Sequence, residues 1–389
     1  MKNVLLGCAC LSIMSLSSGF SCKTNGGLEP TTENATSDTQ PKLKSNIIVN
    51  DKDVIWGMDF LPNGDLLFTE KQGKFYRYSG GKTTELSGAP TDVFVKGQGG
   101  LLDLRVHPKY AQNGWIYATY VSKGTDDGSQ LNLIRFKLNG DAITGTETIF
   151  TTPATNTMYN HYGSRIEFDN KGFLFLSIGE GGATSYGGAE SPNMNAQNVT
   201  IPWGKVHRMT DDGKVPSDNP VLEGNSAPST VYSYGHRNPQ GLAFNPTTQE
   251  IWESEHGPRG GDEVNVIQKG KNYGWPVVSY GINYDGKTIS KAPAKEGVTL
   301  PQHQYTPSIG TCGISFITSD KYKGWKGSLL VGGLAYQYLS RLEIKDGKVV
   351  KEQKLLESIG RVRNVKQGPD GLIYISVEGP GRIIQLLPE

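Results

Sequence analysis

One short pattern recurs six times along this chain: a hydrophobic residue, a tight turn carrying Asn, Asp or Gly, then a strand-like run. The first three copies are Phe60-Leu-Pro-Asn-Gly-Asp-Leu-Leu-Phe-Thr, Val106-His-Pro-Lys-Tyr-Ala-Gln-Asn-Gly-Trp-Ile-Tyr-Ala-Thr and Phe168-Asp-Asn-Lys-Gly-Phe-Leu-Phe-Leu-Ser. Then come Phe244-Asn-Pro-Thr-Thr-Gln-Glu-Ile-Trp-Glu, the segment from Phe316 to Val331, and Val365-Lys-Gln-Gly-Pro-Asp-Gly-Leu-Ile-Tyr-Ile-Ser. Each copy joins two strands by a hairpin turn. Further strands follow in several copies, as in Lys74-Phe-Tyr-Arg-Tyr and Leu133-Ile-Arg-Phe-Lys-Leu. Long helical periodicity is missing, and 50 glycines and 21 prolines fit many short strands joined by turns. Six like units predict an all-β fold, a six-bladed β-propeller of four-stranded antiparallel blades. A sandwich would not account for six copies of one hairpin. Insertions near 180–230 and 270–310 make the spacing uneven. In a propeller the loops of all blades converge at one end of the channel, so residues distant in sequence can share a site.

The N-terminus reads as a targeting segment. Lys2 supplies a positive start, and Val4 to Phe20 is mostly apolar and small. The run is too short and too rich in Ser and Gly to span a bilayer comfortably. Ser21-Cys22 resembles a lipoprotein cleavage site, with plain secretion as the alternative. The expected organisation is a signal with an acylated Cys22 over 1–22, a polar tether over 23–45, and the propeller over 46–389. Cys8 and Cys10 would leave with the signal, so Cys312 alone would remain in the folded body, without a disulfide partner. The expected location is therefore periplasmic or cell-surface, with the membrane reached only through the lipid anchor. Formal net charge is +1 with no long charged run, which excludes an electrostatic footprint for nucleic acid.

Polar residues crowded onto Gly and Pro mark loops held to meet a ligand. His161, in Asn160-His-Tyr-Gly-Ser-Arg165, stands before the third hairpin. It is either a neutral base for a substrate hydroxyl or a structural His at a blade end. Gly235-His-Arg-Asn-Pro-Gln-Gly241 precedes the fourth hairpin. Arg237 there could bind a carboxylate or stabilise an oxyanion, or could pair with a buried carboxylate between blades. Glu255-His-Gly-Pro-Arg-Gly-Gly-Asp-Glu263 combines carboxylates with carbonyls exposed by Gly and Pro, a hard oxygen set that suits Ca²⁺, or forms a Gly-rich turn with a solvated acidic end. Arg361-Val-Arg-Asn opens the sixth hairpin. Alternation puts both arginines on one face, where they can hold a multi-carboxylate ligand or form an exposed basic face. No Walker A, Gly-x-Ser-x-Gly or strand–helix Gly-x-Gly-x-x-Gly is present, which argues against a nicotinamide Rossmann enzyme.

Together these segments resemble the soluble quinoprotein glucose/sorbosone dehydrogenases, also called aldose sugar dehydrogenases. The resemblance covers about residues 50–387. Its motifs come in order: Gly97-Gln-Gly-Gly-Leu-Leu-Asp103 with His107-Pro, Asn160-His-Tyr-Gly-Ser-Arg, Gly179-Glu-Gly-Gly, the Gly235 and Glu255 segments, Asn272-Tyr-Gly-Trp-Pro, and Gly360-Arg-Val-Arg. It implies pyrroloquinoline quinone (PQQ) and Ca²⁺ at the channel mouth, with oxidation of an aldose's anomeric hydroxyl to the lactone. By position, His161 would be the general base and Arg237 would stabilise charge on the quinone oxygen. Asn238 would contact the cofactor, and Gln98 would line the pocket. Arg361 and Arg363 would clamp the cofactor carboxylates, and the carbonyls of Gly257 and Pro258 would ligate Ca²⁺.

The chain also departs from the well-studied branch of the family. Ala335 stands where that branch has a cofactor-binding Lys. Asn160 replaces an Asp, which leaves the base without a neighbouring carboxylate. Ile309-Gly-Thr-Cys-Gly313 replaces Ile-Ala-Pro-Ser-Gly, and Ser164 replaces a Gly. These departures keep open a surface propeller that binds sugar or glycan without redox turnover. A metal-dependent lactonase is the third alternative, and the Gly-Pro carbonyl pattern argues against it.

Overall fold

Residues 42–182, 192–290 and 293–389 are described in the computed structural model. The expected signal, Cys22 and nearly all of the tether lie outside them. The fold is a six-bladed β-propeller of four-stranded antiparallel sheets, as the repeat predicts. All six hairpins form the two innermost strands of successive blades. The inner strands are Ile55–Phe60, Leu101–Val106, Ile166–Phe168, Pro239–Asn245, Thr311–Phe316 and Arg361–Gln367, in blades 1 to 6. Each inner strand abuts the next and the sixth abuts the first, so the ring is closed.

Closure comes from the two ends of the described chain. Leu43–Lys52 pairs antiparallel with Gly381–Pro388 and supplies the outer strand of blade 6. That strand starts at Leu43, so its first three residues fall within the segment read as tether. Lys44, Ser45 and Asn46 are exposed there. An outer strand is held mainly by backbone pairing and needs little apolar signal. The two long insertions fall in blades 3 and 4, between Leu174–Ile178 and Val231–Tyr234 and between Asp262–Ile267 and His303–Tyr305.

The core is six apolar layers, one between each pair of neighbouring blades. Inner strands are therefore buried on both faces; Leu66–Glu70, Leu174–Ile178 and Leu329–Gly333 have no exposed residue. Two-sided burial explains why their sequences run continuously apolar rather than alternating.

Arg165 plugs the channel beneath the loops. It is 3% exposed and lies over the Trp56 ring, 3.9 Å from its centroid. Its guanidinium donates to the carbonyls of Trp56 at 3.3 Å, Gln240 at 2.6 Å and Arg363 at 2.8 Å, and pairs with Asp103 at 3.0 Å. One side chain of blade 3 thus ties together blades 1, 2, 4 and 6 and satisfies three of their carbonyls and a carboxylate.

Candidate active site

The base loop is built under backbone strain. Tyr159, His161 and Ser164 hold φ of 56°, 50° and 82°, and Gly163 holds 62°. Left-handed non-Gly residues persist only where surroundings over-determine them, and they gather at functional sites. Gly179 makes the close approach possible: a Cβ there would lie 2.2 Å from the His161 carbonyl. Glycines at 163 and 179 therefore let the loop sit directly on the end of Leu174–Ile178.

His161 is 8% exposed. Its backbone N–H donates to Gln98 Oε1 at 2.9 Å, and its Nδ1 faces both Glu180 oxygens at 2.8 and 2.9 Å. The absence of a carboxylate expected from Asn160 is thus corrected. The neighbour comes from Gly179-Glu-Gly-Gly, folded back by the hairpin, and Glu180 is fully buried. A carboxylate on Nδ1 fixes the proton there and leaves Nε2 as the accepting nitrogen. Among the described residues, no hydrogen bond occupies that Nε2.

Two neighbouring cavities share His256 as a common wall. The larger, about 260 Å³, is lined by Gln98, Arg361 and Arg363 among the expected residues, with Lys71, Trp56 and Glu378 beside them. The smaller holds Arg237, Gly257 and Pro258, with Glu255 and Glu263. Asn238 lines neither cavity. It is fully buried, and its Oδ1 accepts from the Gly163 N–H at 3.2 Å and from Gln240 at 3.0 Å, so it braces the base loop from behind.

Arg361 and Arg363 share one face and one carboxylate: both donate to Glu378, at 2.8 and 2.6 Å. Arg237 makes no ion pair among the described residues. Its Nη1 donates to the carbonyls of His256 and Gly257, at 3.2 and 2.8 Å, while its Nε is buried without a partner. The Gly257 carbonyl is therefore engaged by Arg237, and the Pro258 carbonyl accepts from Ser308 at 3.4 Å. His256 Nε2 is also buried and unpartnered. Burial, with the charges of Arg363 and Arg237, pushes His256 down to about 3, so the ring is neutral. Orphaned polar atoms at the seam of two cavities are expected where a ligand completes the site.

Glu255 and Glu263 of the smaller cavity lie on paired strands with Glu253. Burial, then the Glu255 charge, raises both Glu253 and Glu263 well above the usual carboxylate range. His236, Glu253 and Glu255 bring ligand-type atoms within 4.8 Å of one another.

A protein-family model described as glucose/sorbosone dehydrogenase matches residues 52–385. The chain belongs to that family. It is 37% identical over 352 residues to the aldose sugar dehydrogenase of Escherichia coli, covering 88% of this chain and 92% of that one. The apo crystal structure of the E. coli enzyme superposes with a TM-score of 0.84, at 34% identity, covering 90% of this chain and all of that one. The PQQ-bound form of an aldose sugar dehydrogenase from Streptomyces coelicolor superposes at 0.70, with 29% identity, covering 90% of this chain and all of that one. Membership makes this chain a sugar-oxidising oxidoreductase of the family type.

Of the eight expected site positions, six line the two cavities; His161 and Asn238 line neither, although Tyr162 and Gly163, which follow His161, line the larger one. Sequence reading assigned no role to Glu180, His256, Glu378, Lys71 or Arg165. Glu180, His256 and Arg165 stood inside quoted motifs, where a carboxylate, imidazole or guanidinium was the available signal. Glu378 and Lys71 carry none, because only the packing of blade 6 against blade 1 brings them to the site.

Proposed function

We propose that the protein oxidises the anomeric hydroxyl of aldose sugars to the lactone, with PQQ as electron acceptor and Ca²⁺ at the site. The observation that carries this reading is the His161–Glu180 pair, joined through Gln98 and Tyr162 to the wall of a cation-walled cavity. At about 260 Å³ that cavity is near the lower end of small-molecule sites, roughly 300 Å³ upward. Its donor set fits a planar polycarboxylate: Arg361 and Arg363 for carboxylates, and Gln98 for a polar edge. Arg237 and neutral His256 present unpartnered N–H or N groups at the seam. The smaller cavity offers carbonyl and carboxylate oxygens, the ligands Ca²⁺ prefers.

When bound, PQQ supplies a two-electron acceptor and Ca²⁺ a Lewis acid beside it. His161 Nε2 takes the proton of the sugar hydroxyl. Glu180 holds the ring in the accepting tautomer and stabilises the imidazolium that forms. Gln98 and Asn238 keep the strained loop in register. Arg237 places positive charge where the acceptor gains negative charge. The leader-like segment and Cys22 support export and lipid anchoring as part of the same proposal.

The test is dye-linked oxidation of an aldose panel by protein supplied with PQQ and Ca²⁺, with the product identified by mass. Formation of a lactone two hydrogens lighter than the sugar supports the reading. Saturable sugar binding without turnover would replace it with the binding-only propeller.

A further inference from the structure

We propose that Lys71 is a third cation for the cofactor's carboxylates, acting from blade 1 alongside the Arg361–Arg363 pair of blade 6. The inference rests on the polycarboxylate reading of the larger cavity.

Lys71 follows Leu66–Glu70, and its backbone is pinned on both sides: its N–H donates to the Val54 carbonyl at 2.9 Å, and its carbonyl accepts from Leu101 at 3.0 Å. The side chain then enters the cavity wall with Gln98, Arg361, Arg363 and Glu378. Its Nζ donates to the Gly97 carbonyl at 2.7 Å. Among the described residues no carboxylate lies within 4.0 Å of it. Glu378 is already shared by the two arginines.

The wall therefore presents three cations, Lys71, Arg361 and Arg363, against one carboxylate. A neutral sugar does not require that excess; a ligand with several carboxylates does. An ammonium has three donors, and Gly97 uses one. Burial and the Arg363 charge already push the Lys71 pKa down, so this ammonium is partly stripped of water and near a like charge. An anion placed between them would relieve both costs. Ala335, next to cavity-lining Leu334, cannot supply charge. Lys71 restores a cation from a different blade.

The contact also reaches the base. Lys71 holds the Gly97 carbonyl, and the adjacent Gln98 accepts the His161 N–H at 2.9 Å. Lys71 is thus placed to bind a carboxylate while steadying the loop that carries the general base.

The experiment titrates Ca²⁺-loaded apoprotein with PQQ and, separately, with its trimethyl ester, following quinone absorbance. The wild type is compared with Lys71→Gln, Lys71→Arg and the exposed-surface control Lys82→Gln. Loss of one charge-assisted contact predicts that Lys71→Gln binds PQQ about 10- to 100-fold more weakly. Ester affinity should not change, and Lys71→Arg should retain most of the affinity for the acid. Equal weakening toward acid and ester would mean that Lys71 only props the loop, and no weakening would mean that it has no part; either overturns the inference. Failure of the wild type to bind PQQ would instead overturn the cofactor reading on which it rests.

Discussion

His161 turns its Nδ1 onto both oxygens of Glu180, at 2.8 and 2.9 Å, across 19 residues of sequence. The pair exists because a strained loop and a glycine-bearing strand end meet without side chains between them. Glu180 therefore sets which ring nitrogen is free to accept a proton.

Replacing Glu180 with Gln keeps the volume but removes the charge and can hold the wrong tautomer. The account predicts that kcat falls by about 100-fold or more, with little change in cofactor affinity. His161→Ala should lose roughly 10²- to 10⁴-fold, the usual range for a general base. Steady-state rates over a pH series read both effects. A Glu180→Gln enzyme with unchanged kcat would remove the positioning role.

Arg165 is a stability residue rather than a site residue. Arg165→Met leaves Asp103 buried and unpaired and strips a donor from three carbonyls. A loss of about 3–5 kcal/mol is expected, as for breaking one partner of a buried pair. Equilibrium urea unfolding measures it. Adding Asp103→Asn should recover part of the loss, because the uncompensated charge is then gone.

Lys205 is wholly buried in blade 3, where its ammonium donates to the carbonyls of Asn195, Ala196 and Trp203 and has no counter-ion among the described residues. Burial pushes its pKa down to about 7 from 10.5. Between those values the unfolded chain binds the proton and the folded chain releases it. Stability contributed by this group is therefore lost as pH falls toward 7 and gained as pH rises. The contribution is up to about 1.4 kcal/mol per pH unit. Unfolding free energies between pH 7 and 9 should rise in the wild type, and that slope should flatten in Lys205→Met.

Calcium should stabilise the fold as well as complete the site. Buried Glu253 and Glu255 and half-buried Glu263 crowd one side of blade 4, and a cation there neutralises their repulsion. Millimolar Ca²⁺ is expected to raise the melting temperature of the metal-free protein, and EGTA to reverse the effect. Glu263→Gln should shrink the Ca²⁺-dependent rise. A melting temperature indifferent to Ca²⁺ would contradict metal binding at this place.

The architecture was legible because a propeller repeats its own local chemistry. Phe60, Phe168 and Phe244 each introduce the same hairpin, and every one of the six hairpins forms. The edge strand starting at Leu43 was partly hidden, since its outer position asks little of side chains. In the site, His161, Gln98 and the two arginines could be read from polar motifs on Gly-rich loops. Glu180 could not be paired with His161 from spacing alone: the contact depends on positive φ at 161, 163 and 164 and on Gly179 lacking a Cβ. Lys71 and Glu378 come to one cavity wall only after blades 1 and 6 close the ring, an event at opposite ends of the chain. Asn238 reads as a pocket residue beside Arg237, but a register shift at the start of its hairpin accompanies its turn inward.

The most direct measurement is a quinone-absorbance titration of Ca²⁺-loaded apoprotein with PQQ, followed by an aldose and no added dye, in wild type and His161→Ala. The account predicts stoichiometric binding by both proteins and bleaching of the oxidised quinone by sugar in the wild type alone. No saturable binding by the wild type, or equally fast bleaching in His161→Ala, would contradict it.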